Sequence, residues 1–245
     1  MTSQLSLYLS ALSLCLTLPL NTEASPRFVP DRPGYADSTE SVEAGHHHLE
    51  YGGGWRVGEL VDTSLMLRRG LSERTELRLG APSLTQPLQD GSALGVSAPS
   101  VGVKGAMRWG ERSASSVLTL SLPVHKKLTA SPLLGLTLNM SAPLTAHYSY
   151  TLNARVGLEG EVSSLGEEAQ VSYAGSAALG RSAGSTSLFT QVGYEGLMSQ
   201  GDLFVGGGVA WLLADARQVD LELNVSELMS GAPLLSLAFG SSLGW

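Results

Sequence analysis

The chain has 245 residues, of which 43% are hydrophobic and 15% charged, with 29 glycines and a formal net charge of −7. An ordinary soluble domain carries about 25% charged residues, yet beyond the N-terminus no apolar run approaches the roughly 20 residues of a membrane-spanning helix. A helical membrane protein, an intrinsically disordered chain and a nucleic-acid binder with a basic face are excluded, and the hydrophobicity must be spread by alternation.

The first 22 residues hold no charged side chain and are rich in Leu, Ser and Ala. With Thr22-Glu23-Ala24 behind them they predict a secretory signal peptide over 1–24, cleaved after the small residue Ala24, although no Lys or Arg stands near its start. The only cysteine, Cys15, falls inside that segment, so disulfides, thiol catalysis and cysteine-based zinc sites are not expected in the mature protein. Residues 25–43 carry Pro26, Pro30 and Pro33, end in acidic residues and do not alternate. They are expected to form a periplasmic tail or a lumen plug, and a plug would be anchored by Arg32 on an inward carboxylate such as Asp220.

From residue 44 to 245 one pattern recurs: alternating apolar and polar residues, then a polar or glycine-containing turn. Period two places all the apolar side chains on one face of a strand. Val101, Val103, Met107 and Trp109 alternate with Gly102, Lys104, Ala106 and Arg108. Tyr148, Tyr150, Leu152, Ala154, Val156 and Leu158 alternate with Ser149, Thr151, Asn153, Arg155, Gly157 and Glu159. Val219, Leu221, Leu223 and Val225 alternate with Gln218, Asp220, Glu222 and Asn224. About twelve such segments are predicted, near 45–53, 58–69, 75–83, 99–109, 115–124, 132–140, 146–160, 169–180, 186–197, 202–213, 217–227 and 234–245. The connections are too short for the crossovers of a parallel sheet. The segments exceed the usual five or six residues of a strand and match the 9–11 or so of a tilted membrane strand. The predicted fold is therefore all-β: an antiparallel up-and-down transmembrane barrel of about 12 strands. Leu71–Arg74, Gly110–Ala114 and Ala214–Ala216 would be short periplasmic turns, and Ser83–Ala98 a long outer loop.

That topology places Trp109, Tyr148, Trp211 and Trp245 at periplasmic strand ends on the apolar face, where an interfacial aromatic girdle is expected. Leu235, Leu237, Phe239, Leu243 and Trp245 share one face of the last segment. It looks like the C-terminal strand that the barrel-insertion machinery reads, which predicts a Gram-negative outer-membrane location. The stretch Asp31-Arg32-Pro33-Gly34-Tyr35-Ala36-Asp37-Ser38-Thr39-Glu40, followed by Gly45 and a strand, resembles the opening of the phenol-degradation meta-pathway barrels, also called transporter-family barrels. The hairpin Leu71-Ser72-Glu73-Arg74-Thr75-Glu76-Leu77-Arg78 is similar to that family's first periplasmic turn. The resemblance implies an outer-membrane barrel with a transport role.

The polar faces assign Glu76, Arg78, Lys104, Arg108, Arg155, Glu159, Gln191, Glu195, Asp220, Glu222 and Asn224 to the lumen. Glu76 and Arg78 are expected to meet Lys104 and Arg108. The function expected is passive passage of small solutes, hydrophobic or aromatic ones among the candidates, with no cofactor and no metal. Outer-membrane lipid and the insertion machinery are the expected partners, and no nucleic acid. The alternative is a non-conducting structural or interaction barrel with a filled lumen. A remote third reading, a lipid hydrolase, rests on His147 and Ser149 with Glu159. That triad does not close, because ten residues of strand span about 33 Å, and no enzymatic activity is expected. His46-His47-His48 with Glu50 is the most metal-like cluster, but it offers two same-face imidazoles and a carboxylate without a clear fourth ligand.

Overall fold

The computed structural model describes residues 28, 30–31, 34–57, 60–87, 95–122, 131–160, 170–197, 200–230 and 233–245. The expected signal peptide over 1–24 and the anchoring Arg32 lie outside them.

Fourteen strands make one antiparallel sheet: β1 (His47–Arg56), β2 (Leu60–Ser72), β3 (Thr75–Gly80), β4 (Leu84–Pro87), β5 (Gly95–Val96), β6 (Ser100–Trp109), β7 (Arg112–Ser121), β8 (Ser131–Pro143), β9 (Tyr148–Gly160), β10 (Gln170–Ala183), β11 (Thr186–Leu197), β12 (Gln200–Ala214), β13 (Arg217–Ser226) and β14 (Leu234–Gly244). Every paired neighbour is a neighbour in sequence, except where β3 meets β6, where β2 meets β4 and where β1 meets β14. The pairing His48↔Gly244 through Arg56↔Ser236 closes the barrel at that seam. Twelve strands form the wall and β4 and β5 are additional. No helix occurs among the described residues.

The segment expected to be a long loop, Ser83–Ala98, holds these two extra strands and needs correction. β2 pairs with β3 along its lower half, Met66↔Gly80 to Ser72↔Thr75. Along its upper half it pairs with β4, Leu60↔Pro87 to Thr63↔Leu84. β3 and β4 are one stave interrupted at 81–83, where Pro82 brings no backbone donor for the ladder. β5 pairs with β4 and leads into β6.

Tight turns lie at one end of the barrel, the turn end. Trp109↔Arg112 closes a two-residue turn with Gly110 at φ 60°, a positive φ at the position that a type II′ hairpin gives to glycine. The longer connections lie at the other end, the loop end.

The packing is inverted relative to a water-soluble domain. Exposed side chains include Leu118, Leu136, Leu138, Val156, Leu188, Val192 and Leu223, at outward positions of β7, β8, β9, β11 and β13. The buried ones include Arg68, Lys104, Glu76, Asn139, Asn153, Gln191 and Asp220. So large an apolar surface is foreign to a monomer in water, while the enclosed space is polar. Trp109, Tyr148, Trp211 and Trp245 all stand exposed on the outer face at the turn end. Trp245 stacks on His47 across the seam, with ring centroids 5.6 Å apart.

Candidate functional site

The inward face is crossed by the chain's own N-terminal segment. Residues 31 and 34–42 touch the wall at successive points around the ring. The Val42 amide donates to Glu76 Oε2 of β3 at 2.8 Å. Thr39 Oγ1 lies 2.6 Å from Ser113 Oγ of β7 and 3.1 Å from Ser141 Oγ of β8. The Tyr35 amide donates to Gln191 Oε1 of β11 at 2.9 Å, and the Gly34 amide to Glu222 Oε2 of β13 at 3.3 Å. The Asp31 amide then reaches Glu50 Oε1 of β1 at 2.9 Å. The Ser38 amide donates back to Asp31 Oδ1 at 2.9 Å, which closes the segment into a loop. Its C-terminal end is stitched to β2, with Gly45 N–H donating to Gly70 O at 3.0 Å and Gly70 N–H to His46 O at 3.0 Å. A Cβ at Gly70 would run into the Glu43 carbonyl, so this close approach of two backbones requires glycine.

One wall is a cluster of ions. Arg68 of β2 donates through Nε and Nη2 to both oxygens of Glu76, at 2.8 and 2.9 Å, and through Nη1 to Glu50 at 2.6 Å. Arg78 of β3 contacts Asp31 Oδ2 at 2.8 Å and Asp37 Oδ2 at 3.0 Å. Lys104 of β6 donates to Asp31 Oδ1 at 2.9 Å. Arg68, Lys104 and Glu76 are each 0% exposed. Burying charges is costly unless each is paired and hydrogen-bonded, and this cluster meets the condition by sharing its carboxylates. Burial pushes the Asp31 carboxyl up, but Arg68, Lys104 and Arg78 outweigh it and hold the group below the ordinary carboxylate range.

The opposite wall is built on amides. Gln191 Nε2 donates to Glu222 Oε1 at 2.6 Å and to Asn224 Oδ1 at 3.1 Å, and Asn224 Nδ2 donates to Glu222 Oε1 at 2.7 Å. The Tyr35 hydroxyl donates to Glu195 Oε2 at 2.8 Å, and its ring lies 4.7 Å from that of Phe204. Between the two walls, Asn153 donates to Asn139 at 2.7 Å, and Asn139 to Ser115 at 3.2 Å.

A cavity borders the segment on each side. Towards the loop end, about 490 Å³ is lined by Asp31, Asp37, Glu50, Arg78, Arg155, Ser100, Thr119 and Thr137, among others. Towards the turn end, about 490 Å³ is lined by Thr39, Glu43, Glu73, Arg74, Arg108 and Ser113, among others.

The residues assigned to the lumen from sequence separate into groups. Glu76, Arg78 and Lys104 meet in the ion cluster, and Gln191, Glu222 and Asn224 meet in the amide network. Asp220 is buried on the same strand as Glu222. Arg108 does not join Lys104; it lines the turn-end cavity two pleats further along β6, beside Glu73 and Arg74. Arg155 lines the loop-end cavity, and Glu159 pairs with Gln170 near the loop end of β9. Ser149 opens that strand, so Ser149 and Glu159 stand at opposite ends of it. His48 is buried against Phe28, with ring centroids 5.0 Å apart. No group of three or more His, Cys, Asp or Glu among the described residues is placed to hold a metal ion. Sequence reasoning missed Arg68, Asp31 and Asp37. Period two would have marked Arg68, since Glu50 and Arg68 sit on the inward parity of β1 and β2. Nothing in the non-alternating segment marks Asp31.

No family model matches the chain, and no curated protein matches it; the phenol-degradation family suggested by the opening motif is therefore not shown. Solved structures do match. The KdgM porin superposes with a TM-score of 0.60 at 10% identity, covering 80% of this chain and 98% of that one. The NanC porin does so with a TM-score of 0.60 at 11% identity and the same coverage. At such identities the likeness is one of fold, and the fold is the closed twelve-stranded barrel of the outer-membrane porins.

Proposed function

We propose that the protein is a passive channel of a Gram-negative outer membrane, admitting small hydrophilic solutes through a lumen narrowed by its own residues 31 and 34–42. The observation that carries this reading is the pair of cavities, one towards each end of the barrel, that both border the segment. The apolar outer band and the aromatic ring at the turn end support insertion in a bilayer, with the turn end in the periplasm. A twelve-stranded barrel is wider than the eight-stranded size that side chains fill, and narrower than the 16–18-stranded aqueous porins. Occupation of the lumen by an internal segment fits that intermediate width. A lining of ions, amides and hydroxyls favours hydrophilic solutes over hydrophobic or aromatic ones. Transport by diffusion needs no cofactor, and the separation of Ser149 from Glu159 leaves the hydrolase reading without its acid.

The test is planar-bilayer recording of the full-length protein beside a variant lacking residues 25–43. The expected result is small discrete steps for the full chain and steps several-fold larger for the deletion. Silence from both proteins, each folded and inserted, would overturn the channel and favour a non-conducting barrel.

A further inference from the structure

The three cations of the ion cluster do not depend on the segment equally. Arg68 is saturated by wall carboxylates, Glu50 and Glu76, at 2.6–2.9 Å. For Arg78, the only wall carboxylate among the described residues is Glu76, 4.0 Å from Nε. Its close partners, Asp31 and Asp37, both belong to the segment. Lys104, itself 0% exposed, has Asp31 as its carboxylate partner among the described residues. Without the segment, the cluster therefore presents three cations against two carboxylates, and the surplus charge falls on Arg78 and Lys104.

A buried cation without an anion is strongly disfavoured, so another anion must take the place of Asp31 and Asp37 whenever they leave. The site is reachable. Arg78 lines the loop-end cavity, and so does Arg155, an exposed lumen cation with no ion pair to any described residue. The two segment carboxylates also differ in how firmly they are held. The Asp31 side chain is 5% exposed and contacts three cations, whereas the Asp37 side chain is 27% exposed and contacts Arg78 alone. Two carboxylates meeting one guanidinium through Nη1 and Nη2 have the form of a bound di-acid, and the planar fork of Arg suits carboxylates in that geometry.

We propose that Arg78 and Lys104, approached past Arg155, are a binding site for a small organic dicarboxylate, and that Asp31 and Asp37 occupy it as tethered competitors. Asp37 yields first and Asp31 second. Displacement of both frees the segment from the cationic wall and widens the passage; this last consequence, unlike the binding itself, rests on the channel reading. Tethering gives the internal carboxylates an effective concentration in the millimolar range, so a solute present at lower concentration leaves the segment in place.

Succinate is the probe, titrated by calorimetry into the full-length protein folded in detergent, with acetate as the single-carboxylate control. Asp37→Asn removes one competitor and keeps its shape; it is expected to tighten succinate binding about tenfold, the usual worth of one charge-assisted hydrogen bond. Arg78→Gln is expected to abolish binding. Arg155→Gln, which alters only a side chain facing the open cavity, is expected to weaken it about threefold to tenfold, and acetate should bind less tightly than succinate. Equal succinate affinity in the wild type, Asp37→Asn and Arg155→Gln would overturn the proposal, as would no binding to any of them. The bilayer records separate the two readings. Conductance by the 25–43 deletion with no succinate binding to the full chain removes the site and leaves the channel. The expected binding pattern with silent bilayers leaves the site and removes the channel.

Discussion

The wall of β1, β2, β3 and β6 and the wall of β11 and β13 grip the same N-terminal segment with different chemistry. On the first, full charges meet full charges out of water, and Asp31 alone contacts Arg68, Arg78 and Lys104. On the second, Gln191 and Asn224 donate to one oxygen of the Glu222 carboxylate, and the segment contributes backbone amides, Gly34 to the other oxygen and Tyr35 to Gln191. The difference lies in how damage spreads. Removing one ion leaves its partners buried and unpaired, whereas removing one amide, Gln191, leaves the Glu222 carboxylate its bond from Asn224.

The largest effect is expected from Arg68→Met, which strands Glu50 and Glu76 together. Breaking a buried ion pair costs about 3–5 kcal/mol, to be read as a shift in the urea unfolding curve of the detergent-folded barrel. A loss below about 1 kcal/mol, the worth of a surface pair, would erase the contrast between the walls. Gln191→Leu, its counterpart on the amide wall, is expected to cost about 1–3 kcal/mol in the same assay; a loss as large as that of Arg68→Met would show the two walls to be equivalent. Acid should then act on the ion wall. Asp31 is held below its ordinary value of 3.8, so its contribution is complete above that value and disappears as the pH falls through the lower, folded value. Unfolding midpoints due to this group should be level between about pH 5 and 8 and decline below about pH 4. A decline already under way near pH 6 would show that Asp31 is not ionised among its three cations. The smallest effect is expected from Tyr35→Phe, which removes one partly exposed hydrogen bond to Glu195 and should cost no more than about 1 kcal/mol.

Much of the wall was legible in the residues because a pleated strand writes its two faces into the sequence at period two. The predicted segment 99–109 and the observed Ser100–Trp109 differ by one residue, and the outward aromatics follow from the same parity. β4 and β5 were not legible. With four and two residues they are too short for a period to show, and Pro82 and Pro87 break the pattern around them. The candidate site was legible by halves. Glu76, Arg78 and Lys104 carry the inward parity of strands that alternate cleanly. Arg68 shares the parity of Asp62 and Ser64 while Val61, Leu65, Leu67 and Leu71 take the other, so period two separates it from Arg69, and the register Arg68↔Arg78 agrees. Asp31 lies in a segment with no period, and its partner Lys104 is 73 residues away. Proximity over that distance is a property of the closed ring, and no local pattern encodes it.

The stitch at Gly70 bears on the order of assembly. Among the described residues, the charged partners of Asp31, and the backbone bonds of Gly45 and Gly70, lie between residues 31 and 104. The seam, by contrast, joins His48 to Gly244. The entropy lost in bringing two points of a chain together rises with the length between them, so contacts within the first strands are less costly to make than the seam. By this measure the ion cluster is the part of the interior that is less costly to form while the sheet is still open, and the seam is the part that costs most.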